Sequence, residues 1–426
     1  MVEPSGNYAK NSVGKAAQKF LDPIYKFMAV EASSGILLLC TTVFSLILAN
    51  LETAHWYFDF INTPISVSVG SFVIEKNFLL LVNDGLMAIF FYLVGLEIKR
   101  EILVGELSTP KKASFSIFAA IGGMIFPALI FTYFNSGTDY ARGWGIPMAT
   151  DIAFAVGVLT ILGKRVPTAL KIFLLALAIV DDLGAVLIIA LFYTNEIATN
   201  YLGIAGLALF FLFLLNYSGV RNIAWGLALG VVSWFCFLKS GVHATIAGVI
   251  LAFLTPSRPV GSIDSVGPVD KKEEKALLID CYIHALHPWV AFVIMPIFAF
   301  FNAGVSFEGI SFEQIFSNSV VIGISLGLVL GNPIGIFCMT LLATKLKIAE
   351  FPNGISWFQV IGVGFLAGIG FTMSLFINNL AFKGKAIESY SKIGILMGSA
   401  VTMVVGVLIL LSSFTKSKKT EAAAHI

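Results

Sequence analysis

The sequence predicts an all-α polytopic membrane protein, and three observations carry that prediction. The chain has 426 residues, 58% of them hydrophobic and only 12% charged, where a soluble domain carries about 25% charged residues. Apolar runs recur along it at bilayer length, since about 20 residues cover the ~30 Å hydrocarbon core. Two neighbouring acids, Asp181 and Asp182, stand at the midpoint of one such run, 171–192.

That run shows what the acids weigh. On the insertion scale each aspartate costs about 2.5–3.5 kcal/mol at mid-membrane. Fifteen Leu, Ile, Val and Phe residues between Leu170 and Phe192 contribute roughly 0.3–0.6 kcal/mol each in the other direction. The helix inserts, but two apolar residues in place of the acids would insert better. An intramembrane ionisable residue is a functional-site hypothesis by default. The alternative is that the pair only hydrogen-bonds neighbouring helices.

The net charge of +2 gives no reason to expect a nucleic-acid partner. Cys40, Cys236, Cys281 and Cys338 are scattered, with no metal-ligand spacing and no disulfide framework. No cofactor is expected. Residues 1–26 are polar and lack the short apolar core of a cleaved signal, so the first span is expected to stay in the membrane.

In order, that span covers 27–51. A hairpin is expected at 62–77: Ile65, Val67 and Val69 alternate with polar residues, Gly70-Ser71 supplies a II′-type turn, and a second β-rich run follows. A lone hairpin is marginal in water, so pairing with its copy in a second protomer is expected, with a plain surface loop as the alternative. Further spans follow at 78–98, 114–134, 143–162, 169–193, 201–217, 222–238, 241–254, 284–303, 319–343, 356–381 and 391–414, making twelve. The span at 241–254 is short. The long hydrophilic loop is 255–280. Residues 27–414 therefore form a single transmembrane domain, flanked by the 1–26 segment and a 415–426 tail. Lys and Arg orient it: with both termini inside, only Lys76, Arg142, Lys239, Lys383, Lys385 and Lys392 of 27 basic residues fall outside. Spans 3 and 10 then run in opposite directions, and spans 3–5 and 10–12 are candidate inverted repeats.

Two spans are poor helices. Span 4 carries Pro147 and three glycines around Thr150-Asp151, and span 11 carries Gly362, Gly364, Gly368 and Gly370. Each glycine costs a helix interior about 1 kcal/mol and a proline about 3. Interrupted helices in corresponding positions of two repeats point to a transporter's binding site. Small residues that only let helices pack closely are the alternative.

Three intramembrane acids, Asp151, Asp181 and Asp182, have no metal-ligating cysteine or histidine near them in sequence. Carboxylates and backbone carbonyls suit hard cations. Adjacent helix positions differ by about 100°, so Asp181 and Asp182 cannot point the same way. Carboxylates this close in low dielectric resist ionising together and titrate as a pair. A cation and protons would then compete for the same oxygens. Asp151 also suits the positive ends of broken half-helices. For their negative ends, span 10 offers only Asn332. At the inner end of span 2, Glu97 reaches Arg100 and Glu101 at i+3 and i+4, either as a functional cluster or as an ordinary snorkelling helix end. Asp84 lies inside the same span. His243, His284 and His287 could titrate near neutral pH or serve as hydrogen-bonded core.

The stretches VGLEIKRE, MATDIAFAVGVL, LALAIVDDLGAV, GVHATIAGV, LHPWVAF, FAFFNAGVS and GIGFTMSLFI, in that order over nearly the whole chain, resemble the NhaA-type sodium/proton antiporters of bacteria. That family is itself a type case of the inverted-repeat transporter architecture. The resemblance implies twelve spans in the cytoplasmic (inner) membrane with both termini cytoplasmic, discontinuous helices 4 and 11, and alternating access. It implies exchange of internal Na⁺ or Li⁺ for external protons, switched on at alkaline pH. It implies ion binding at Asp181 and Asp182, with Asp182 the main ligand, and support from Thr150 and Asp151 at the break. A pH response is implied at Glu97, Arg100 and Glu101, with Asp84, His243, His284 and His287 grouped with them as further candidates, and a homodimer contact is implied at the hairpin. Two departures stand out. Family members commonly carry a lysine where Asn332 stands, paired with the acid at Asp181, and often an acid where Ile283 stands. An altered proton count or pH window is expected.

Buried acids also suit two rival functions. An intramembrane aspartyl protease needs its acids on separate helices and a Gly-x-Gly-Asp motif, which this chain lacks; no enzyme is expected. A sodium-coupled solute symporter would need an organic-substrate pocket, for which the sequence gives no signature.

Overall fold

The computed structural model describes residues 32–52, 54–69, 72–194, 197–218, 223–257 and 277–424. The 1–26 segment, the Gly70-Ser71 turn and most of the 255–280 loop lie outside them, as do the side chains of the 415–426 tail. The described chain is mostly helical, with one two-stranded antiparallel sheet.

Helix α1 (Ala32–Leu48) leads to α2 (Ala54–Asn62), a short helix between the first span and the hairpin for which no element was expected. It buries Tyr57 and Ile61, and the Tyr57 hydroxyl donates to the Phe300 carbonyl over 2.6 Å. Strands β1 (Pro64–Val69) and β2 (Phe72–Asn77) pair from Pro64↔Asn77 to Val69↔Phe72. Asn77 then caps α3 (Phe78–Val104) by accepting from Leu80 N–H. Next come α4 (Pro110–Asn135), a 3₁₀ segment (Ala141–Met148), α5 (Ile152–Ile161), α6 (Thr168–Phe192), α7 (Thr199–Tyr217), α8 (Ile223–Ser240) and α9 (Thr245–Leu254). Helix α10 (Leu278–Trp289) runs into α11 (Met295–Ala303), and the short α12 (Phe312–Ser317) precedes α13 (Ser319–Leu326) and α14 (Asn332–Lys345). The chain closes with α15 (Trp357–Ala367), α16 (Phe371–Phe382) and α17 (Ile387–Ala424).

Spans 9 and 10 each contain a π-turn, at Val290–Ile294 and at Gly327–Gly331. The cause is the same in each. Pro296 and Pro333 stand two residues beyond these turns, each without an N–H and with a ring that collides with the carbonyl four residues back. Widening the helix by one residue removes the collision.

Among the described residues eight helices are long and apolar enough to cross a bilayer, or nine if the bent pair α15–α16 counts as one. Shorter apolar helices lie at Ser33–Leu48, Ala224–Ser240 and Thr245–Leu254. The short α9 is held by close approach to α3. A Cβ on Gly248 would stand 2.2 Å from the Ala88 carbonyl oxygen, and one on Gly95 would stand 2.7 Å from Ala252 Cβ. Lys99 Nζ donates to the Phe253 carbonyl over 2.7 Å, closing the negative end of α9. The tightest crossing is between α4 and α14. There a Cβ on Gly122 would meet the Gly335 carbonyl oxygen at 2.1 Å, and a Cβ on Gly335 would meet the Gly122 carbonyl oxygen at 2.1 Å. Only glycine allows backbones this near.

Candidate functional site: an acid pair at two crossed helix breaks

The glycine and proline signals at spans 4 and 11 become two breaks that touch. In span 4 the 3₁₀ segment stops at Met148, Ala149 turns extended, and α5 restarts at Ile152. In span 11, α15 stops at Ala367, α16 restarts at Phe371, and the two are bent by 45°. Backbone groups freed by each break find partners on the other. The Asp151 N–H donates to the Ile369 carbonyl over 2.7 Å, and Thr150 Oγ1 donates to the Ala367 carbonyl over 2.7 Å. Ser374 Oγ donates to the Ile146 carbonyl over 2.7 Å. This accounts for backbone polarity that a bilayer core would otherwise leave unsatisfied.

Asp151 joins both half-helices that begin here. Its Oδ1 accepts from Phe154 N–H over 3.0 Å, capping α5. Its Oδ2 accepts from Thr372 N–H over 3.1 Å and from the Thr372 hydroxyl, at the start of α16. One carboxylate therefore faces two helix N-termini, each carrying about half a positive charge.

Asp181 and Asp182 lie on α6 beside this crossing, both buried. As the 100° step requires, they diverge. Asp181 Oδ2 accepts from the Thr150 N–H over 2.9 Å. Asp182 Oδ2 is buried with no hydrogen-bond partner among the described residues. Asp151 is buried as well, so three intramembrane acids stand around the crossing. Among the described residues no group of three or more His, Cys, Asp and Glu side chains is gathered tightly enough to hold a metal ion. A cation taken up here would therefore need hydroxyl, amide or backbone oxygens as well.

Asn332 is buried at the start of α14, and its Nδ2 donates to the Pro147 carbonyl over 3.3 Å. It thus meets a negative end of the broken span 4 without bringing charge. Its Oδ1 has no partner among the described residues. In the sequence Asn332 alone stands out for those negative ends, whereas Ser374, Thr372 and Ser399, whose Oγ accepts from Phe371 N–H over 3.1 Å, do not. Their signal was present in the run GIGFTMS and in a serine facing it, but small hydroxyls in apolar helices are too common to single out.

The residues grouped for pH response divide between the two ends of α3. At one end Arg100 pairs with Glu101 over 3.2 Å and with Asp280 of α10 over 2.7 Å, and Glu101 accepts from Glu106 N–H over 2.8 Å. Asp280 was not singled out from sequence. His284 and His287 lie on exposed positions of α10. At the other end Asp84 pairs with Lys76 of the hairpin, about 20 Å from Glu97 along the helix at 1.5 Å per residue. His243 stands apart from the α10 histidines: its Nε2–H donates to the Tyr193 carbonyl, at the end of α6, over 2.9 Å.

A family model described as Na⁺/H⁺ antiporter 1 matches residues 25–410. The chain is 48% identical over 401 residues to the Na⁺/H⁺ antiporter NhaA of Proteus mirabilis strain HI4320, covering 93% of this chain and 99% of that one. It is 49% identical over 387 residues to the protein of the same name from Escherichia coli strain UTI89, covering 90% and 96%. A third, of Shigella boydii serotype 4, is 48% identical over 387 residues. A match of this extent and identity settles membership: the chain belongs to the Na⁺/H⁺ antiporter 1 family.

Proposed function

We propose that this chain is a secondary antiporter that exchanges cytoplasmic Na⁺ or Li⁺ for external protons across the bacterial inner membrane, serving sodium and pH homeostasis. The observation that carries this is the unpartnered Asp182 oxygen beside two crossed helix breaks, in a chain whose relatives are named Na⁺/H⁺ antiporters. The solute symporter finds no support in those names.

The mechanism follows from competition. Protons and the cation compete for the same buried oxygens of Asp182 and Asp181, because two carboxylates this close resist ionising together and a bound cation favours the ionised form that protons oppose. A site open to one side at a time then releases one as it takes the other. The broken helices suit such a step: their ends bear partial charges, and Thr150 and Asp151 hold the two breaks together without a continuous helix having to bend. Glu97, Arg100 and Glu101, with Asp280, form the cytoplasmic pH-responsive cluster, and His284 and His287 lie along it. Asp84 and His243 act at the opposite end. If the lysine that the family commonly carries at this position moves a proton in the cycle, Asn332 in its place lowers the number of protons moved per cation. Finding equal charge per cycle in this protein and in Asn332→Lys would sink that last point.

Twelve spans are proposed, from nine long helices and three shorter ones. Residues 27–414 are one transmembrane domain, with both termini cytoplasmic by the distribution of Lys and Arg. Spans 3–5 and 10–12 are inverted repeats. The reciprocal Gly122–Gly335 contact supports this, because each glycine meets the same atom of the other. The two-stranded sheet has open edges, which support pairing with a second copy as a homodimer.

The test is the collapse of a pre-formed proton gradient by Na⁺ in inside-out vesicles, from neutral to alkaline pH. Collapse in the unmutated protein and none with Asp182→Asn is expected. An organic solute required for Na⁺ movement would point to symport instead.

A further inference from the structure

Among the described residues four buried side-chain atoms have no hydrogen-bond partner: Asp182 Oδ2, Asn332 Oδ1, Ser233 Oγ and Asn378 Nδ2. The serine hydroxyl can turn to suit its surroundings, and the Asn378 nitrogen is a donor. The other two are oxygens, and in dry surroundings such an oxygen needs a donor or a cation.

We propose that Asn332 Oδ1 is a ligand of the transported cation, completing the oxygen set that the aspartates begin. This rests on the antiport proposed above. The orientation of the amide is fixed by its neighbour. The Pro147 carbonyl can only accept, so the nitrogen must face it, and the oxygen is the free end. The opposite flip would set oxygen against oxygen. The position follows from the chain. Pro147 lies three residues before Thr150, whose N–H holds Asp181, a stretch that spans about 10 Å at most. The amide and Asp181 therefore hang on one segment of the broken span, and Asp182 adjoins Asp181 on α6.

The backbone around Asn332 is arranged for this approach. The π-turn Gly327–Gly331 brings α14 against the break, where a Cβ on Gly327 would come within 2.7 Å of Pro147 Cβ. A Cβ on Gly123 of α4 would stand 3.4 Å from Asn332 Oδ1, so glycine there leaves the oxygen uncovered. The chemistry is consistent. Hard cations take side-chain amide oxygens readily, and the described residues offer no cluster of three acids, histidines or cysteines. A neutral oxygen adds coordination without adding a third charge to Asp181 and Asp182.

The experiment is calorimetric titration of the purified full-length protein with NaCl and with LiCl at one alkaline pH. Asn332→Leu, Asn332→Asp and Asp182→Asn are compared with the unmutated chain. Asn332→Leu keeps the branched heavy-atom shape and removes the oxygen, and it is expected to weaken Na⁺ binding about tenfold or more, the size of a lost bond to a charged group. The Na⁺:Li⁺ ratio is expected to change with it, which the loss of a purely structural clamp on Pro147 would not cause. Unchanged Na⁺ affinity and an unchanged ratio in Asn332→Leu, with binding abolished by Asp182→Asn, would overturn the inference and leave antiport standing. If Asn332→Leu does not fold, Asn332→Asp decides: tighter Na⁺ binding supports the ligand role, and equal or weaker binding overturns it. Na⁺ binding that survives Asp182→Asn would remove the antiport site itself, and this inference with it.

Discussion

Replacing Asp151 by alanine should unfasten the helix crossing before it impairs cation binding. The carboxylate accepts three hydrogen bonds, from Phe154 N–H, Thr372 N–H and the Thr372 hydroxyl. Losing the cap on α5 costs about 0.5–2 kcal/mol. The Thr372 N–H and hydroxyl are then stranded in a buried site, where each unsatisfied group costs about 1–3 kcal/mol. The hydroxyl can turn to another acceptor, so a loss of roughly 2–5 kcal/mol is expected. Asp151→Asn keeps one acceptor oxygen and should lose about half as much. The assay is thermal unfolding of the purified protein in one detergent, with Na⁺ affinity measured on the folded fraction. The expected order of stability is unmutated, then Asp151→Asn, then Asp151→Ala, with Na⁺ affinity changed less than by Asp182→Asn. Asp151→Ala as stable as the unmutated chain would refute the clasp. So would a loss of Na⁺ binding with no loss of stability.

Other outcomes follow from the same geometry. Gly335→Ala should lower folded yield and melting temperature sharply, because its Cβ would fall 2.1 Å from a carbonyl oxygen and overpacking costs about 1–3 kcal/mol or more; fluorescence-detected chromatography of detergent extracts reads this directly. Lys76→Ala breaks a partly exposed ion pair with Asp84, so it should change stability by less than about 1 kcal/mol, with the transport rate within twofold in proteoliposomes. Arg100→Ala strips the shared cation from Glu101 and Asp280. It should shift the pH profile of transport while leaving Na⁺ affinity at saturating pH unchanged, as measured by gradient collapse across pH.

Much of the fold was legible because a bilayer imposes its own periodicity. Apolar runs of the required length stand out, and the acids at 181 and 182 stand out within them. The two breaks were legible from Pro147 and from Gly368 and Gly370, which a smooth helix would exclude. The π-turns were legible in principle, since Pro296 and Pro333 demand relief, but a sequence does not say whether a helix kinks, breaks or widens. Helix α2 was missed because its burial depends on Tyr57 reaching a carbonyl on α11, far away in sequence. The division of the charged residues was missed for a related reason. Asp84 and Glu97 share a helix, and only its length and the partners at each end reveal that they serve different faces. Thr372 and Ser374 carry the crossing through hydroxyls, and nothing local distinguishes them from the many small polar residues that pack membrane helices.

The most direct test of the central claim is proton release on adding Na⁺ to the purified protein in weakly buffered detergent solution. If cation and protons compete for the oxygens of Asp182 and Asp181, Na⁺ must expel protons, the release must saturate with Na⁺, and Asp182→Asn must abolish it. Na⁺ that binds without releasing protons, or release that persists in Asp182→Asn, would contradict the account.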